Sequence, residues 1–351
     1  MSDYLPIFAL TRGETVESVH FGAIAICDNR GNLLWHYGNP DTITFLRSTA
    51  KPFQALPFVE AGGVEHFGLT ARETALICAS HSGTDEHVAV AASIQRKAGV
   101  TEDDLLCGTH PPYHQETAER LKAAGEEPTP NRHNCSGKHS GMLAFAPMIG
   151  APTADYVNPS HPVQQRILHT FAEMCGLAPS QVALGTDGCS APNFAVPLRS
   201  AALAYARLCD PSALPPARAA ACRKITAAMT AYPEMVGGPG RFDTALMRLG
   251  GGKIVSKAGA EGYQGIGLLP GALGSGSPAL GIVFKISDGD ARKKARSAVA
   301  VEILRQLGAL DETQLQALAS FGPRFPIHNW RKLQVGEGYP VFAEVDVGGQ
   351  V

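Results

Sequence analysis

Strand-like segments near both ends of the chain enclose a long run of helix-like sequence. Residues 16–27 read V-E-S-V-H-F-G-A-I-A-I-C, and residues 279–287 read A-L-G-I-V-F-K-I-S. The first is followed by D-N-R-G-N and an apolar run at 33–37, which predicts a β-hairpin with a glycine-containing turn. Another strand is predicted within 252–259, G-K-I-V-S-K-A-G. Strands at both ends with helices between them favour an α/β fold with a mostly antiparallel sheet and flanking helices.

The intervening sequence carries the periodicity of amphipathic helices. We find no internal repeat, low-complexity tract or linker-like composition shift, so residues 1–351 are predicted to form a single domain. An interleaved lobe made only of helices is the alternative organisation. Helices are predicted at 49–61, 71–78, 84–98, 114–124, 160–175, 194–208, 215–231, 289–307 and 311–320.

Composition excludes several classes of protein. With 351 residues, 44% of them hydrophobic, the chain can bury a core. The net charge is −2 without a long basic run, which argues against nucleic-acid binding. The N-terminus lacks a signal-peptide pattern, and no stretch approaches the roughly 18 uninterrupted apolar residues of a membrane span. We therefore expect a cytoplasmic protein without a membrane or nucleic-acid partner.

The cysteines fit a reducing compartment. The chain has eight of them and no C-x-x-C pair. In the absence of an export signal, free thiols are expected. Most free cysteines are small buried apolar groups, and we expect this of six of the eight.

The stretch R-S-T-A-K-P-F at 47–53 contains a serine three residues before a lysine. Pro52 is tolerated only in the first turn of a helix, so a helix should begin within a residue or two of Ser48. The free N–H groups and dipole of a helix start favour an alkoxide at Ser48. Lys51 would lie one turn later on the same side and could accept the serine proton. The alternative is a serine cap followed by a solvated lysine.

Two further stretches favour catalysis. C-A-S-H-S-G places Ser80 in a loop before a helix, and K-I-V-S-K-A-G places Lys257 on a strand. The order S-x-x-K, S-x-S, K-x-G resembles the S-x-x-K, S-D-N, K-T-G order of serine β-lactamases and penicillin-binding proteins. The residues of the second and third motifs differ from that pattern, so the layout is similar and the identity is not.

A closer resemblance extends over most of the chain. R-S-T-A-K-P-F-Q, C-A-S-H-S-G, N-C-S-G-K-H-S-G-M, Y-x-N-P-S-H-P-V-Q and G-T-D-G-C-S-A-P-N together resemble the type 3 (Rhizobium etli type) L-asparaginases, with K-A-G-A-E-G following at 257–262. The resemblance implies a fold like that of the serine β-lactamases and penicillin-binding proteins, a homodimer, and asparagine hydrolysis by paired Ser-Lys sets beside a zinc ion. Carried over, Ser48 pairs with Lys51, and Ser80 pairs with Lys257.

Two motifs contain candidate zinc ligands. From the ligand preferences of zinc alone we would choose Cys135, His139 and Cys189, with or without Asp187, leaving one open position. The resemblance implies Cys135, Lys138 and Cys189 instead, with a water completing the shell. Lysine must lose its proton to bind a metal, which a cation and burial favour. We follow the resemblance and assign His139 to the surroundings of the metal or to the substrate.

Other polar residues are candidates for binding a zwitterionic amino acid. Arg47, Asp187 and Gly188 lie in the motifs above, and Arg241 in G-G-P-G-R-F-D-T could contact the substrate with Asp243. The alternatives are structural. Asp187 lies in a glycine-flanked turn, where its carboxylate would bond local backbone amides. Arg241 and Asp243 could form an ion pair within their loop.

These observations predict an L-asparaginase, which hydrolyses L-asparagine to L-aspartate and ammonia. Ser48 is the favoured nucleophile, with Ser80 and Lys257 assisting proton transfer. One rival is another Ser-Lys acyl enzyme, acting on glutamine, β-lactams or peptides. The other is a protein that binds zinc or an amino acid without catalysis.

Overall fold

The computed structural model describes residues 3–348. The chain divides into two compact units, each discontinuous along the sequence. The first, the sheet unit, comprises the residues up to Thr44, Val196–Asp210 and the residues from Ser256 onward. The second, the helical unit, comprises Phe45–Ala195 and Pro211–Val255. The prediction of one domain over 1–351 stays a prediction, and residues 1, 2 and 349–351 lie outside the described range.

The strands form two sheets. In chain order they are β1 (Leu5–Arg12), β2 (Thr15–Asp28), β3 (Leu33–Tyr37), β4 (Ile43–Phe45), β5 (Ala183–Thr186), β6 (Pro192–Pro197), β7 (Ile254–Ala258), β8 (Tyr263–Leu268), β9 (Leu280–Ile286), β10 (Phe325–His328) and β11 (Gln334–Pro340). The large sheet has the order β10-β11-β1-β2-β9-β8-β7, and β3 also pairs with β2. The small sheet has the order β4-β6-β5.

Antiparallel pairing dominates the large sheet. β2 pairs antiparallel with β1, β3 and β9, β9 with β8, and β11 with β1 and β10. The predicted hairpin is therefore confirmed as β2 and β3, and the predicted strands at 252–259 and 279–287 are β7 and β9. The mixed α/β architecture with a mostly antiparallel sheet and flanking helices confirms the predicted fold class.

The helices, with their bounds, are α1 (Lys51–Glu60), α2 (Gly63–His66), α3 (Ala71–Ile77), α4 (Asp85–Ala98), α5 (Gln115–Ala124), α6 (Ser136–Met148), α7 (Pro162–Cys175), α8 (Leu198–Cys209), α9 (Pro216–Ala231), α10 (Pro233–Val236), α11 (Phe242–Leu249), α12 (Ala295–Gln306) and α13 (Glu312–Ala317). The predicted helix at 194–208 begins only at 198, because residues 192–197 pair as β6. No helix within residues 3–348 has both the length and the apolar character needed to cross a membrane.

In the sheet unit, α8 packs on β2, β8 and β9. The approach is close at Gly281 of β9, where a Cβ atom would lie 1.8 Å from the carbonyl oxygen of Ala202. Any side chain at this position would push α8 off the sheet. Glycine is therefore required for the contact between this helix and the strand. All residues of β9 are buried, including Lys285.

In the helical unit, α1 packs on α6, α7 and α9, and α3 packs on α4, α6 and α9. Gly137 in the first turn of α6 allows the contact with α3, because a Cβ atom there would lie 2.3 Å from the carbonyl oxygen of Leu76. This contact places the start of α6, which carries the N-C-S-G-K-H motif, against the end of α3, which leads to the C-A-S-H-S-G motif.

Candidate functional site

Ser48 lies in a single turn of 3-10 helix, Arg47–Ala50, that leads directly into α1. Pro52 occupies the first turn of α1, where its missing N–H leaves no helical hydrogen bond unmade. Ser48 is not a capping residue: Ala50 precedes α1, and no side chain caps either helix. Its side chain is half-buried, and its hydroxyl has no hydrogen-bond partner among residues 3–348. The Ser48 hydroxyl is thus available to a ligand.

Lys51 is 1% exposed, and its amine is surrounded by three oxygen acceptors. Nζ lies 2.6 Å from the carbonyl oxygen of Ala79, 2.8 Å from Ser80 Oγ and 3.4 Å from the carbonyl oxygen of Asn134. These match the three donors of an ammonium group. The serine in direct contact with Lys51 is therefore Ser80, and the pairing of Lys51 with Ser48 stays a prediction.

Backbone hydrogen bonds hold the Ser80 loop in place. The loop follows α3, whose N-terminus is closed by a capping box between Thr70 and Glu73. Ser80 N–H donates to the carbonyl oxygen of Val236 at 3.0 Å, and His81 N–H donates to that of Asn134 at 3.2 Å. Ser80 is buried, and these two hydrogen bonds fix the backbone that carries its hydroxyl.

Lys257 lies in the sheet unit, on β7. Its side chain is buried, and Nζ donates to the carbonyl oxygen of Ala258 at 2.9 Å. The K-I-V-S-K-A-G stretch predicted Lys257 on a strand, and β7 confirms this position. The pairing of Lys257 with Ser80 remains a prediction.

Cys135, Lys138 and Cys189 form one buried cluster, which we call the thiol cluster. Cys135 immediately precedes α6, Lys138 is in its first turn, and Cys189 lies in the turn between β5 and β6. Lys138 Nζ donates to Cys189 Sγ at 2.9 Å. The Cys135 thiol interacts with the same sulfur and also lies 3.3 Å from Asn134 Oδ1. Two sequence motifs 51 residues apart thus meet at one sulfur atom.

The protonation states within the thiol cluster follow from these contacts. Hydrogen bonding from Cys135 and the positive charge of Lys138 lower the pKa of Cys189 far below that of a free thiol, although burial opposes this. Donation to Cys189 and burial raise the pKa of Cys135. Burial alone would lower the pKa of Lys138, but the two cysteines raise it. These contacts favour the negative charge on Cys189, beside the Lys138 amine, and the proton on Cys135.

The donor set of the thiol cluster is chemically suited to zinc. Two sulfurs and one amine are of the type that Zn²⁺ accepts once Cys135 and Lys138 have each lost a proton. Within the described residues, no three His, Cys, Asp or Glu side chains are grouped so that they could hold a metal ion. In the set implied by the family resemblance, Lys138 Nζ and the Cys135 thiol both act on the Cys189 sulfur. Which set would hold zinc stays a prediction.

His139 is buried beside the thiol cluster. Its Nδ1 lies 2.7 Å from the hydroxyl of Tyr156, and the two rings meet edge to face. Burial lowers the pKa of His139 to about 4, while the Cys189 sulfur acts in the opposite direction. The imidazole is therefore neutral at physiological pH.

Arg47 and Asp187 form an ion pair that joins the Ser48 turn to the loop of Cys189. Arg47 Nε donates to Asp187 Oδ1 at 2.8 Å, and Gly188 N–H donates to the same oxygen at 2.8 Å. The Arg47 backbone N–H donates to Asn193 Oδ1 at 3.0 Å. Asp187 thus makes the local amide bond of the structural alternative, and its contact with Arg47 is an addition that spacing did not indicate. A role of Asp187 in binding the substrate stays a prediction.

Arg241 immediately precedes α11, and its guanidinium carbon lies 5.9 Å from the centre of the Tyr113 ring. Both residues line a cavity of about 430 Å³ together with Ser82, Pro239, His114, Gln115, Glu116 and Glu119. The cavity is open, and Glu116 and Glu119 place two carboxylates in its lining with the one guanidinium of Arg241. A role of Arg241 in binding the substrate stays a prediction.

Several residues of this region were not assigned a role from sequence. Asn134 contributes its carbonyl oxygen to Lys51, and His81 Nε2 lies 2.9 Å from Ser136 Oγ. Tyr156 contacts His139. These residues, Asn134, His81, Ser136 and Tyr156, all lie inside the motifs quoted above. Their place in a motif was the only sequence feature that could have pointed to them. Their contacts depend on how α3 and α6 pack, which spacing does not reveal.

Comparison with known proteins identifies the family. The family model for L-asparaginase II matches residues 8–340. No protein of curated function matches the sequence. Among solved structures, Mglu in its tris and glutamate form has a TM-score of 0.41 at 13% identity, over 83% of this chain and 60% of that chain. The chain thus spans about 60% of the length of that protein.

A second solved structure is the Bacillus subtilis glutaminase YbgJ in covalent complex with 5-oxo-L-norleucine. It has a TM-score of 0.34 at 12% identity, over 85% of this chain and 87% of that chain. The match of the family model covers all the motifs described above, from the Ser48 turn to β7. The chain therefore belongs to the L-asparaginase II family of amidohydrolases.

Proposed function

We propose that the protein hydrolyses L-asparagine to L-aspartate and ammonia through an acyl-enzyme formed on Ser48. Family membership supports an amidohydrolase, and the contact between Lys51 Nζ and Ser80 Oγ at 2.8 Å is the observation that carries the mechanism. A lysine that lies in direct contact with one serine and three residues from another in a helical turn can serve both as a proton acceptor and as a proton donor.

In the first half of the reaction, Ser48 Oγ attacks the side-chain carbonyl carbon of asparagine. Its proton passes to the Lys51 amine, which must be neutral at that moment. The C–N bond then breaks, and the leaving nitrogen takes up a proton through Ser80, since Ser80 Oγ is in contact with Lys51. In the second half, water attacks the acyl ester, Ser48 recovers its proton, and aspartate is released.

Substrate orientation is assigned to the residues around the Ser48 turn. Asp187 orients the Arg47 guanidinium next to Ser48, which suits recognition of the α-carboxylate of an amino acid. His139, Gly188 and Arg241 are also assigned to substrate binding. His139 and Gly188 are sequence neighbours of Lys138 and Cys189, and Arg241 lines the open cavity with Tyr113. Lys257 is assigned to proton transfer with Ser80.

Cys135, Lys138 and Cys189 would hold a zinc ion. When bound, zinc would tie the start of α6 to the turn between β5 and β6 and hold a polar group of the substrate near Ser48. The residues themselves already make this link through the hydrogen bond between Lys138 and Cys189. The homodimer implied by the family resemblance also stays a prediction.

Ammonia release from asparagine and from glutamine by wild type and Ser48→Ala, measured side by side, tests this function. We expect asparagine to be the better substrate and the variant to be inactive. Faster release from glutamine would favour a glutaminase. Hydrolysis of a chromogenic cephalosporin at a higher rate than asparagine would favour a β-lactam-type acyl enzyme. Binding of asparagine without ammonia release, with zinc supplied, would indicate a binding protein.

A further inference from the structure

A buried chain of hydrogen bonds runs from the backbone through Tyr156 to His139. Leu106 N–H donates to the Tyr156 hydroxyl oxygen at 2.8 Å, and that oxygen lies 2.7 Å from His139 Nδ1. Tyr156 and His139 are both completely buried. Tyr156 begins the Y-x-N-P-S-H-P-V-Q motif, and the mechanism above gives this residue no role.

The direction of these bonds decides which imidazole nitrogen carries the proton. The Tyr156 oxygen accepts the Leu106 amide proton, so its own single proton is left to donate to His139 Nδ1. In the opposite tautomer Nδ1–H would donate to Tyr156. The phenol proton would then be buried without an acceptor among the described residues, which is unfavourable. Nδ1 is therefore the acceptor, and the neutral ring carries its proton on Nε2.

The remaining donor of the ring, Nε2–H, is buried and has no hydrogen-bond partner among residues 3–348. A buried donor without a partner calls for an explanation. The Cys189 sulfur acts on this imidazole, and Lys138, the neighbour of His139 in sequence, donates to the same sulfur. Since Nδ1 is occupied by Tyr156, Nε2 is the ring nitrogen that remains for a contact with this sulfur.

We propose that Tyr156 is a positioning residue that holds His139 as the Nε2–H tautomer and so directs this donor to the Cys189 sulfur. The same sulfur already accepts a hydrogen bond from Lys138 Nζ at 2.9 Å, so the His139 donor would add a second one. Groups that orient a metal ligand in this way typically change metal affinity or activity by roughly 10- to 100-fold. The effect on zinc rests on the proposed metal site, whereas the tautomer does not.

The tautomer is measured directly. Two-bond ¹H–¹⁵N spectra of protein labelled at histidine and freed of metal distinguish the Nδ1–H and Nε2–H forms, and the missing signal in His139→Gln assigns His139. We expect Nε2–H in the wild type and a mixture of both tautomers in Tyr156→Phe. Tyr205→Phe, which removes another buried tyrosine hydroxyl, should leave the His139 signal unchanged. An Nδ1–H form in the wild type, or an unchanged tautomer in Tyr156→Phe, would overturn the proposal.

Zinc affinity tests the consequence. We expect Tyr156→Phe to bind zinc about tenfold more weakly than the wild type. His139→Gln should also bind zinc more weakly, and adding Tyr156→Phe to it should have no further effect, because the tyrosine acts through the histidine. A Tyr156→Phe protein with wild-type zinc affinity would remove the link to Cys189. If the wild type bound no zinc, the metal site would be lost, while the spectra would still decide the tautomer.

Discussion

The amine nitrogen of Lys51 lies 2.8 Å from the hydroxyl oxygen of Ser80, and both side chains are buried. Lys51 begins α1, directly after the Ser48 turn, and Ser80 lies in the loop after α3, so this contact joins two separate motifs. The half-buried Ser48 hydroxyl is accessible to a substrate, whereas the Ser80 hydroxyl is enclosed. This difference favours attack by Ser48 and proton relay by Ser80.

Replacing either serine should therefore have different effects on the covalent intermediate. We expect Ser48→Ala to lower kcat for asparagine by at least roughly 1,000-fold, because the nucleophile is lost. Ser80→Ala should slow both acylation and turnover but still allow an adduct on Ser48. Mass spectrometry after rapid acid quench locates the adduct. An acyl group on Ser80 in the Ser48→Ala protein would reverse the two assignments.

Lys51→Met should lower kcat by roughly 100- to 10,000-fold, the usual range for loss of a general base. Methionine has similar length but cannot accept a proton, and it leaves the carbonyl oxygen of Ala79 without this donor. We therefore also expect a loss of stability of about 1–3 kcal/mol, measured by urea unfolding. Lys97→Met, which removes a partly exposed lysine from Glu73, is the control and should retain its kcat. Normal turnover by folded Lys51→Met would exclude Lys51 as the base.

Asp187→Asn should raise KM for asparagine about tenfold with little change in kcat. The Asp187 carboxylate holds Arg47 by a charge-assisted hydrogen bond, and a misoriented Arg47 would bind the substrate carboxylate less well. The matched control is Asp41→Asn, which breaks the exposed ion pair of Asp41 with Arg199. Steady-state kinetics decide the point. Equal KM values for the two variants would contradict a role of Asp187 in substrate binding.

The protein should lose stability in acid through His87. Its Nε2 lies 2.9 Å from the carbonyl oxygen of Glu234, Nδ1 lies 2.6 Å from Thr84 Oγ1, and burial lowers the pKa to about 4. In the unfolded chain the pKa of His87 is near 6.5, so below that pH the unfolded state binds more protons than the folded state. The stabilisation is complete above about pH 6.5 and is lost as the pH falls towards 4. We expect about 2.5 kcal/mol of loss at this residue between pH 7.5 and 4.5.

Urea unfolding of wild type and His87→Gln at both pH values measures this contribution. The variant should be less stable at pH 7.5 but lose less stability on acidification, because its amide does not titrate. His169→Gln, at an exposed histidine, should follow the wild type. An identical pH dependence of wild type and His87→Gln would contradict the assignment.

The sequence was sufficient for elements whose pattern is local. The hairpin β2–β3 and the strands β7 and β9 have long apolar runs, and Pro52 located the start of α1. The strand β11, Q-V-G-E-G-Y-P, was not predicted, because two glycines and a proline obscure its alternation. Residues 194–197 were assigned to a helix, because nothing local shows that β5 lies beside them.

For the site, the motifs identified the residues but not all of their partners. Spacing placed Lys51 near Ser48, whereas its contact with Ser80 depends on α1 and α3 both packing on α6. Likewise, the ion pair of Arg47 with Asp187 joins residues 140 positions apart. Such contacts join separate segments of the chain, and the spacing of residues within one segment cannot predict them.

Cys135→Ala and Cys189→Ala should each abolish zinc binding and weaken asparagine binding, while the fold survives. Zinc held by two thiolates and a neutral lysine amine would carry little net charge, so it should bind tightly yet polarise its water weakly. Its effect should therefore fall on the position of the substrate rather than on the chemical steps, and chelation of the wild type should raise KM more than it lowers kcat.

Cys222→Ala is the control. It removes a buried thiol whose pKa burial raises to about 12, and it should keep its zinc. Elemental analysis and kinetics of the four proteins check this. Wild type purified without zinc after growth in zinc-supplemented medium would contradict this prediction. Full zinc in both site variants would also contradict it. In Cys189→Ala, the sulfur that Lys138 contacts is gone, and Lys138 alone cannot hold the ion.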